Sequence, residues 1–177
     1  MIHLSYLGSL ISKDKLCKKD VRSRIARAKN AFSNRKEFLT KFCTLDLNKR
    51  IVKIVIWSTL LYGAESWALR KDDIPRLESC EMWLWRKILN ISWTEKVSND
   101  EVLRRVNEDR AIIPSINKRQ RTWLGHTLRH GNLLPLITEG KVEGRRPQGR
   151  PQTGMLDRIK NGSSYQCVKK RARERKL

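Results

Sequence analysis

Three patterns in this 177-residue chain are of a kind that does chemistry: paired carboxylates, two spaced histidines and clustered cations. Two-metal phosphoryl transfer needs carboxylates gathered around ions a few ångströms apart. The adjacent pairs are Asp72-Asp73, Asp100-Glu101 and Glu108-Asp109. The first two stand where helices should begin, where a carboxylate caps free amides and suits the helix dipole. The third falls between helices with no partner carboxylate. His126 and His130 are four apart and can share a helix face, but no Glu lies between them and no third ligand is at hand, so no metal site is expected. There is no G-x-x-x-x-G-K-[ST] loop and no Ser or Cys with a recognisable base. The isolated chain is therefore expected to hold no cofactor and to catalyse nothing.

Cations remain. Against 18 Asp and Glu stand 39 Lys and Arg, a formal net charge of +21. That excess points to a polyanionic partner, with RNA and DNA foremost. By block the charge is +9 over residues 1–50, 0 over 51–100, +4 over 101–137 and +8 over 138–177. The neutral block holds most of the aromatic material: Trp57, Trp67, Trp83, Trp85 and Trp93, leaving only Trp123 elsewhere. A packed centre with basic approaches fits a nucleic-acid-binding module better than a uniformly charged disordered chain.

The elements that must position those cations follow from periodicity. MIHLSYLGSLI, residues 1–11, reads as a strand or hairpin that could not form a stable sheet alone. Val21, Ile25, Ala28, Phe32 and Leu39 mark one face of a first helix. Arg22, Arg24, Arg27, Lys29 and Lys36 fall mostly off that stripe and form either a solvated face or a phosphate-facing one. A second helix is expected from Asp46 as N-cap through Leu47, Ile51, Ile54, Ser58 and Leu61, apolar nearly all round and ended by Gly63. A third follows Asp72 or Asp73, with Ile74, Leu77, Leu84, Ile88 and Ile91 on one side. Three such helices joined by short turns pack most simply as an antiparallel bundle.

Farther on, Ser98-Asn99-Asp100-Glu101 has capping-box spacing before a short helix with Val102, Leu103 and Val106. Pro114-Ser115 is expected to open a helix from Ile116 to about His130, carrying Lys118, Arg119, Arg121 and Arg129 beside Trp123, an indole that is either core or a stacking surface. GKVEGRRPQGRPQTG, with Arg145, Arg146 and Arg150, has no hydrophobic period and reads as flexible. One or two helical turns are expected over Met155–Lys160. The terminal KKRARERKL reads equally as a solvated tail or a nucleic-acid-binding and nuclear-import patch. Cys17, Cys43, Cys80 and Cys167 show no C-x-x-C spacing, and with no secretory signal the expectation is a reduced intracellular, nuclear protein. The longest apolar run, Ile54 to Tyr62, is too short for the roughly 20 residues of a membrane span.

Several of these pieces, in order, resemble the carboxy-terminal third of the endonuclease and reverse transcriptase polyprotein of animal LINE-like, non-long-terminal-repeat retrotransposons. They are Tyr6-Leu7-Gly8 with Ile11, Arg24-Ile25 with Ala28 and Phe32, LLYGAESW (60–67), LWRKILNISW (84–93), NDEVLRRV (99–106), RQRTWLGHTLRH (119–130) and EGRRPQGRP (143–151). The resemblance implies that Tyr6, Leu7 and Gly8 lie at a primer grip ending the palm, and that the basic first helix faces the duplex backbone. It implies four segments: 1–12 a palm remnant, 13–95 a thumb-like helical bundle, 96–136 a helical connector and 137–177 a basic flexible tail. The family's polymerase aspartates and its endonuclease are not represented in the chain, so Mg would serve only an intact polymerase. Palm and finger regions of such a polymerase are the implied protein partners, and a truncated or degenerate copy is the implied origin. The expected class is thus mainly α, a thumb-like antiparallel bundle with a short N-terminal β remnant. The rival expectation is a helical protein-interaction module from a decayed or domesticated copy.

Overall fold

The structure, a computed structural model, describes residues 3–6, 9–12, 17–41, 44–129, 154–160 and 164–174. It is mainly helical. The chain divides into two compact units, residues 1–63 with 69–115, and residues 64–68 with 116–177. This division differs from segments ending at 12, 95 and 136. The corner at 64–68 belongs with the later helices because Gln120 Nε2 donates to both Ala64 O (3.0 Å) and Trp67 O (2.8 Å).

In the first unit, β1 (His3–Tyr6) and β2 (Ser9–Ser12) pair antiparallel, with Tyr6 opposite Ser9. Helix α1 (Lys18–Ser33) buries Asp20, Val21, Arg24, Ala28 and Phe32. The expected stripe to Leu39 is two helices, not one. Asn34 N–H bonds Asn30 O and Arg35 N–H bonds Phe32 O, closing the last turn, and α2 (Lys36–Lys41) then carries Leu39 back into the core.

Helical residues 45–60 form three pieces: α3 (Leu45–Ile51), a π-helical turn (Val52–Ile56) and α4 (Trp57–Leu60). The cap is Thr44, whose side chain accepts from Leu47 N–H; Asp46 sits in the first turn and pairs with Lys49 at 2.9 Å. The buried stripe here is Asn48, Val52, Ile56 and Leu60, with Trp57 beside it. Its spacing of four is longer than the 3.6 of a regular helix, and the wider π turn keeps it in phase. Leu47 and Ile54, expected inside, therefore face out, 45% and 71% exposed. At the end of this turn the Ser58 and Thr59 hydroxyls donate to Val55 O at 2.9 and 3.1 Å. Gly63 takes φ 75°, which ends the helical run as expected.

Helix α5 (Asp73–Ile88) starts at Asp72, which makes no side-chain cap bond; buried Asp73 instead accepts from Arg70 N–H and from Arg76 Nη1, both at 3.2 Å. It ends at Asn90, φ 53°, where Ile91 N–H reaches Arg86 O at 2.9 Å. Helix α6 (Asn99–Val106) ends in the same way at Asn107, φ 55°. Asn serves at both stops because its short polar side chain tolerates the left-handed region. The reciprocal capping box is at Ser92: its N–H donates to Glu95 Oε1 at 2.7 Å and its hydroxyl accepts from Thr94 N–H. Ser98 does cap α6, but Glu101 turns away to Arg104 and Arg105. Helix α1 is the hub of the unit, packing against β2, the π turn, α4 and α5, while α6 lies on α5.

Helix α7 (Ile112–Arg129) begins four residues before the expected start. Pro114 falls in its first turn, where a missing N–H breaks no helical bond. The Glu81 carboxylate on α5 caps this start, accepting from Ala111 N–H at 3.0 Å. Burial pushes the Glu81 carboxyl above its ordinary value, while amide bonds from Ala111 and Ile112 pull it down.

In the second unit, Leu124 of α7 packs with Ile159 of α8 (Met155–Lys160) and Val168 of α9 (Tyr165–Arg173), bordered by Trp123, Leu128, Met155 and Leu156. Much of the described part of the expected flexible tail is thus helical, because Val168 and Ala172, one turn apart, give α9 a buried stripe. Arg129 Nη1 donates to Ala172 O at 2.8 Å and satisfies a carbonyl at the end of α9. Among the described residues no helix is long and apolar enough to cross a membrane.

Candidate nucleic-acid interface

Folding sorts the candidate cations into those that hold the protein together and those left facing outward. On α1, Lys19, Arg22 and Arg27 are exposed on the side opposite Val21, Ala28 and Phe32. Arg24 turns inward: its side chain is 6% exposed, its Nε lies 3.9 Å from Asp20 Oδ1, and its guanidinium sits 4.5 Å above the Tyr62 ring. A cation so enclosed is structural and cannot meet a phosphate. Lys29 is half-buried, with its ammonium 5.2 Å over the Trp83 ring. Lys36, on α2, is exposed.

On α7, Lys118 and Arg121 are exposed and have no ion-pair partner among the described residues. Arg119 is also exposed, but its Nη1 lies 3.5 Å from Glu65. Of the β-hairpin candidates, Tyr6 is placed by its backbone in β1. Leu7, Gly8, Arg145, Arg146 and Arg150 lie outside the described residues, as does His130.

Other cations are spoken for by nearby carboxylates. Arg104 and Arg105 converge on Glu101 at 2.8 Å each and hold its carboxyl down at about 2. Lys53 meets Glu108 at 2.6 Å, so the third carboxylate pair is tied into an ion pair. Such exposed pairs contribute little to stability, but they lower the local positive field that a phosphate would meet. Lys19, which the stripe argument passed over at the helix start, belongs with the outward set.

Among the described residues no group of three or more His, Cys, Asp or Glu could hold a metal ion. Among the described residues Cys17, Cys80 and Cys167 form no disulfide, and burial pushes Cys80 up to about 11. A thiol held protonated in this way is a poor nucleophile. Trp57, Trp67 and Trp85 are buried, whereas Trp83 is half-buried, its ring edge-on to Phe32 with centroids 5.5 Å apart. Trp83 is the aromatic residue that sequence reading left undistinguished from its neighbours. Its signal is its place at the margin of the stripe made by Leu77, Glu81, Leu84 and Ile88.

No family model matches the chain, and no curated protein or solved structure matches it significantly.

Proposed function

We propose that this chain is the nucleic-acid-holding portion of a LINE-like reverse transcriptase, a thumb-like antiparallel bundle with its connector. In this reading it lacks the polymerase and endonuclease catalytic residues and works with palm and finger regions. The observation that carries the proposal is the segregation on α1: Lys19, Arg22 and Arg27 stay exposed along one side, while Arg24 is drawn into the core. The exposed cations of this set thus lie on one side of α1 and, on α7, at Lys118 and Arg121. In the same reading the β1–β2 pair is the remnant of a palm carrying the primer grip, and RNA and DNA are the partners, met in the nucleus.

The test is a salt titration of binding to an RNA–DNA hybrid and to single strands. With roughly 5 to 8 phosphate contacts, affinity falls at least a hundredfold between about 50 and 200 mM salt. A flat response overturns the proposal.

A second reading, a protein-interaction module from a decayed or domesticated copy, draws on Leu47 and Ile54, which the π turn leaves exposed on the helical run 45–60. It requires partner binding that salt barely affects.

A further inference from the structure

Helix α5 presents a second stripe beside its core-facing one, with buried Met82 at the margin between them. Pro75, Glu78, Ser79, Met82, Trp83 and Arg86 recur at three and four residues, so they share one side along about 16 Å of helix. With Asn99 and Arg110 opposite, this stripe lines a cleft of about 350 Å³ within the first unit. That volume lies in the range of small-ligand clefts, roughly 300 to 1,000 Å³.

The furnishing of the cleft is specific. Its apolar surface comes from Pro75, Met82 and Trp83. Around the indole stand hydrogen-bonding groups of both kinds. Arg86 Nη2 donates to Val97 O (2.6 Å) and to Asn99 Oδ1 (3.0 Å), an arrangement that occupies the amide oxygen of Asn99 and leaves its NH2 to donate. Arg110 meets Glu78 at 3.4 Å while remaining 44% exposed, so the rim carries both a donor and an acceptor. The indole itself is braced from other elements: Phe32 meets it edge-on and the Lys29 ammonium lies over its ring.

A bare anion site would leave its guanidinium groups unengaged, and a purely hydrophobic groove would not ring an indole with charge. A flat, braced aromatic with donors and acceptors at its edge suits a planar heteroaromatic that carries its own hydrogen-bonding edge. With Arg86 and Arg110 against Glu78 the lining carries net positive charge, so that heteroaromatic would carry a phosphate. We propose that this cleft takes one unpaired base of a single strand, stacked along Trp83, with its flanking phosphate toward Arg110. This rests on the nucleic-acid reading above and adds a base-stacking site beside the phosphate contacts. Such stacking strengthens binding about 5- to 150-fold per base.

The experiment compares the full chain with its Trp83→Leu and Ser79→Leu variants, in fluorescence anisotropy with short single strands, the same strands made abasic at every position, an RNA–DNA hybrid and a free nucleoside monophosphate. Trp83→Leu removes the platform. Ser79→Leu, at an exposed position on the cleft wall, fills it without disturbing the indole, and circular dichroism melts check that both variants fold. The proposal expects intact strands to bind at least 5-fold more tightly than abasic ones, and both variants to lose most of that preference while losing less on the hybrid. Weak saturable binding of the free monophosphate, abolished by Ser79→Leu, supports the same site. Equal binding of intact and abasic strands, or a preference unchanged in both variants, overturns the stacking site even if the hybrid binds with a steep salt dependence. Failure of every nucleic acid to bind overturns this proposal and the reading beneath it together.

Discussion

The guanidinium of Arg24 lies 4.5 Å above the ring of Tyr62, with Arg24 Nε 3.9 Å from the buried Asp20 carboxylate. One residue of a basic helix is thereby used to fasten α1 to the end of the helical run 45–60, near the turn made by Gly63. Breaking a buried charge pair by removing one partner costs roughly 3 to 5 kcal/mol, because the other charge stays buried. Arg24→Ala should lose stability of that order in urea unfolding. The double variant Asp20→Asn with Arg24→Met should recover most of it. An Arg24→Ala protein as stable as the parent would show that the pair is ornamental.

Arg22 and Arg27 should behave in the opposite way. Replacing either with Ala should leave the unfolding midpoint within about 0.5 kcal/mol of the parent, since surface changes are usually that small. Each should also reduce the slope of log affinity against log salt by about 0.9. Titration of both variants on the same hybrid checks this. If Arg24→Ala, corrected for folding, reduced the slope as much as Arg22→Ala, the assignment of outward and inward cations would be wrong.

Much of this sorting is legible in the sequence, and some of it is not. The spacing of Val21, Ala28 and Phe32 does mark the buried face of α1, and Gly63 does mark the stop of the helical run 45–60. Arg24 falls beside that stripe, so spacing alone cannot say whether it faces water. Its burial depends on Asp20 one turn earlier and on Tyr62, which only the folded chain brings near. The phase of residues 45–60 was beyond a 3.6-residue template, because the π turn re-aims Ile54 outward. The cleft on α5 escapes the sequence for a similar reason: Arg110 reaches Glu78 across 32 positions. Ser92 and Glu95 carry capping-box spacing as plainly as Ser98 and Glu101. The presence of two arginines after Glu101 decides which carboxylate is free to cap.

In the second unit, Gln120 is fully buried and its Nε2 bridges two carbonyls of the 64–68 corner, while its Oε1 has no hydrogen-bond partner among the described residues. Gln120→Leu keeps the bulk and removes the side-chain donor from Trp67 O and from Ala64 O, which keeps its bond from Trp67 N–H at 3.2 Å. The expected loss is roughly 1 to 3 kcal/mol, the scale of one buried polar group losing its partner. Thermal melts read it directly.

Two carboxylates predict pH effects of opposite sign. The folded pKa of Glu101 is lowered from 4.5 to about 2 by Arg104 and Arg105. Its contribution is therefore present above pH 4.5 and is lost as the pH falls through about 2. Burial raises the folded pKa of Glu81 above 4.5, so between 4.5 and that raised value the folded state holds the proton more tightly, and stability falls as pH rises. Melting temperatures from pH 2 to pH 7 should show Glu101→Gln flattening the acid limb. Glu81→Gln, whose amide oxygen still accepts from Ala111 N–H, should gain on the parent as pH rises above 4.5. A reversed sign for either variant contradicts the assigned cause.

The central claim is that the outward cations hold a phosphate backbone, and the most direct measurement is the affinity for an RNA–DNA hybrid as salt is raised. The account predicts a straight line of log affinity against log salt with a slope of about −4 to −7, corresponding to roughly 5 to 8 phosphate contacts. A slope near zero, or no binding at low salt, would contradict it.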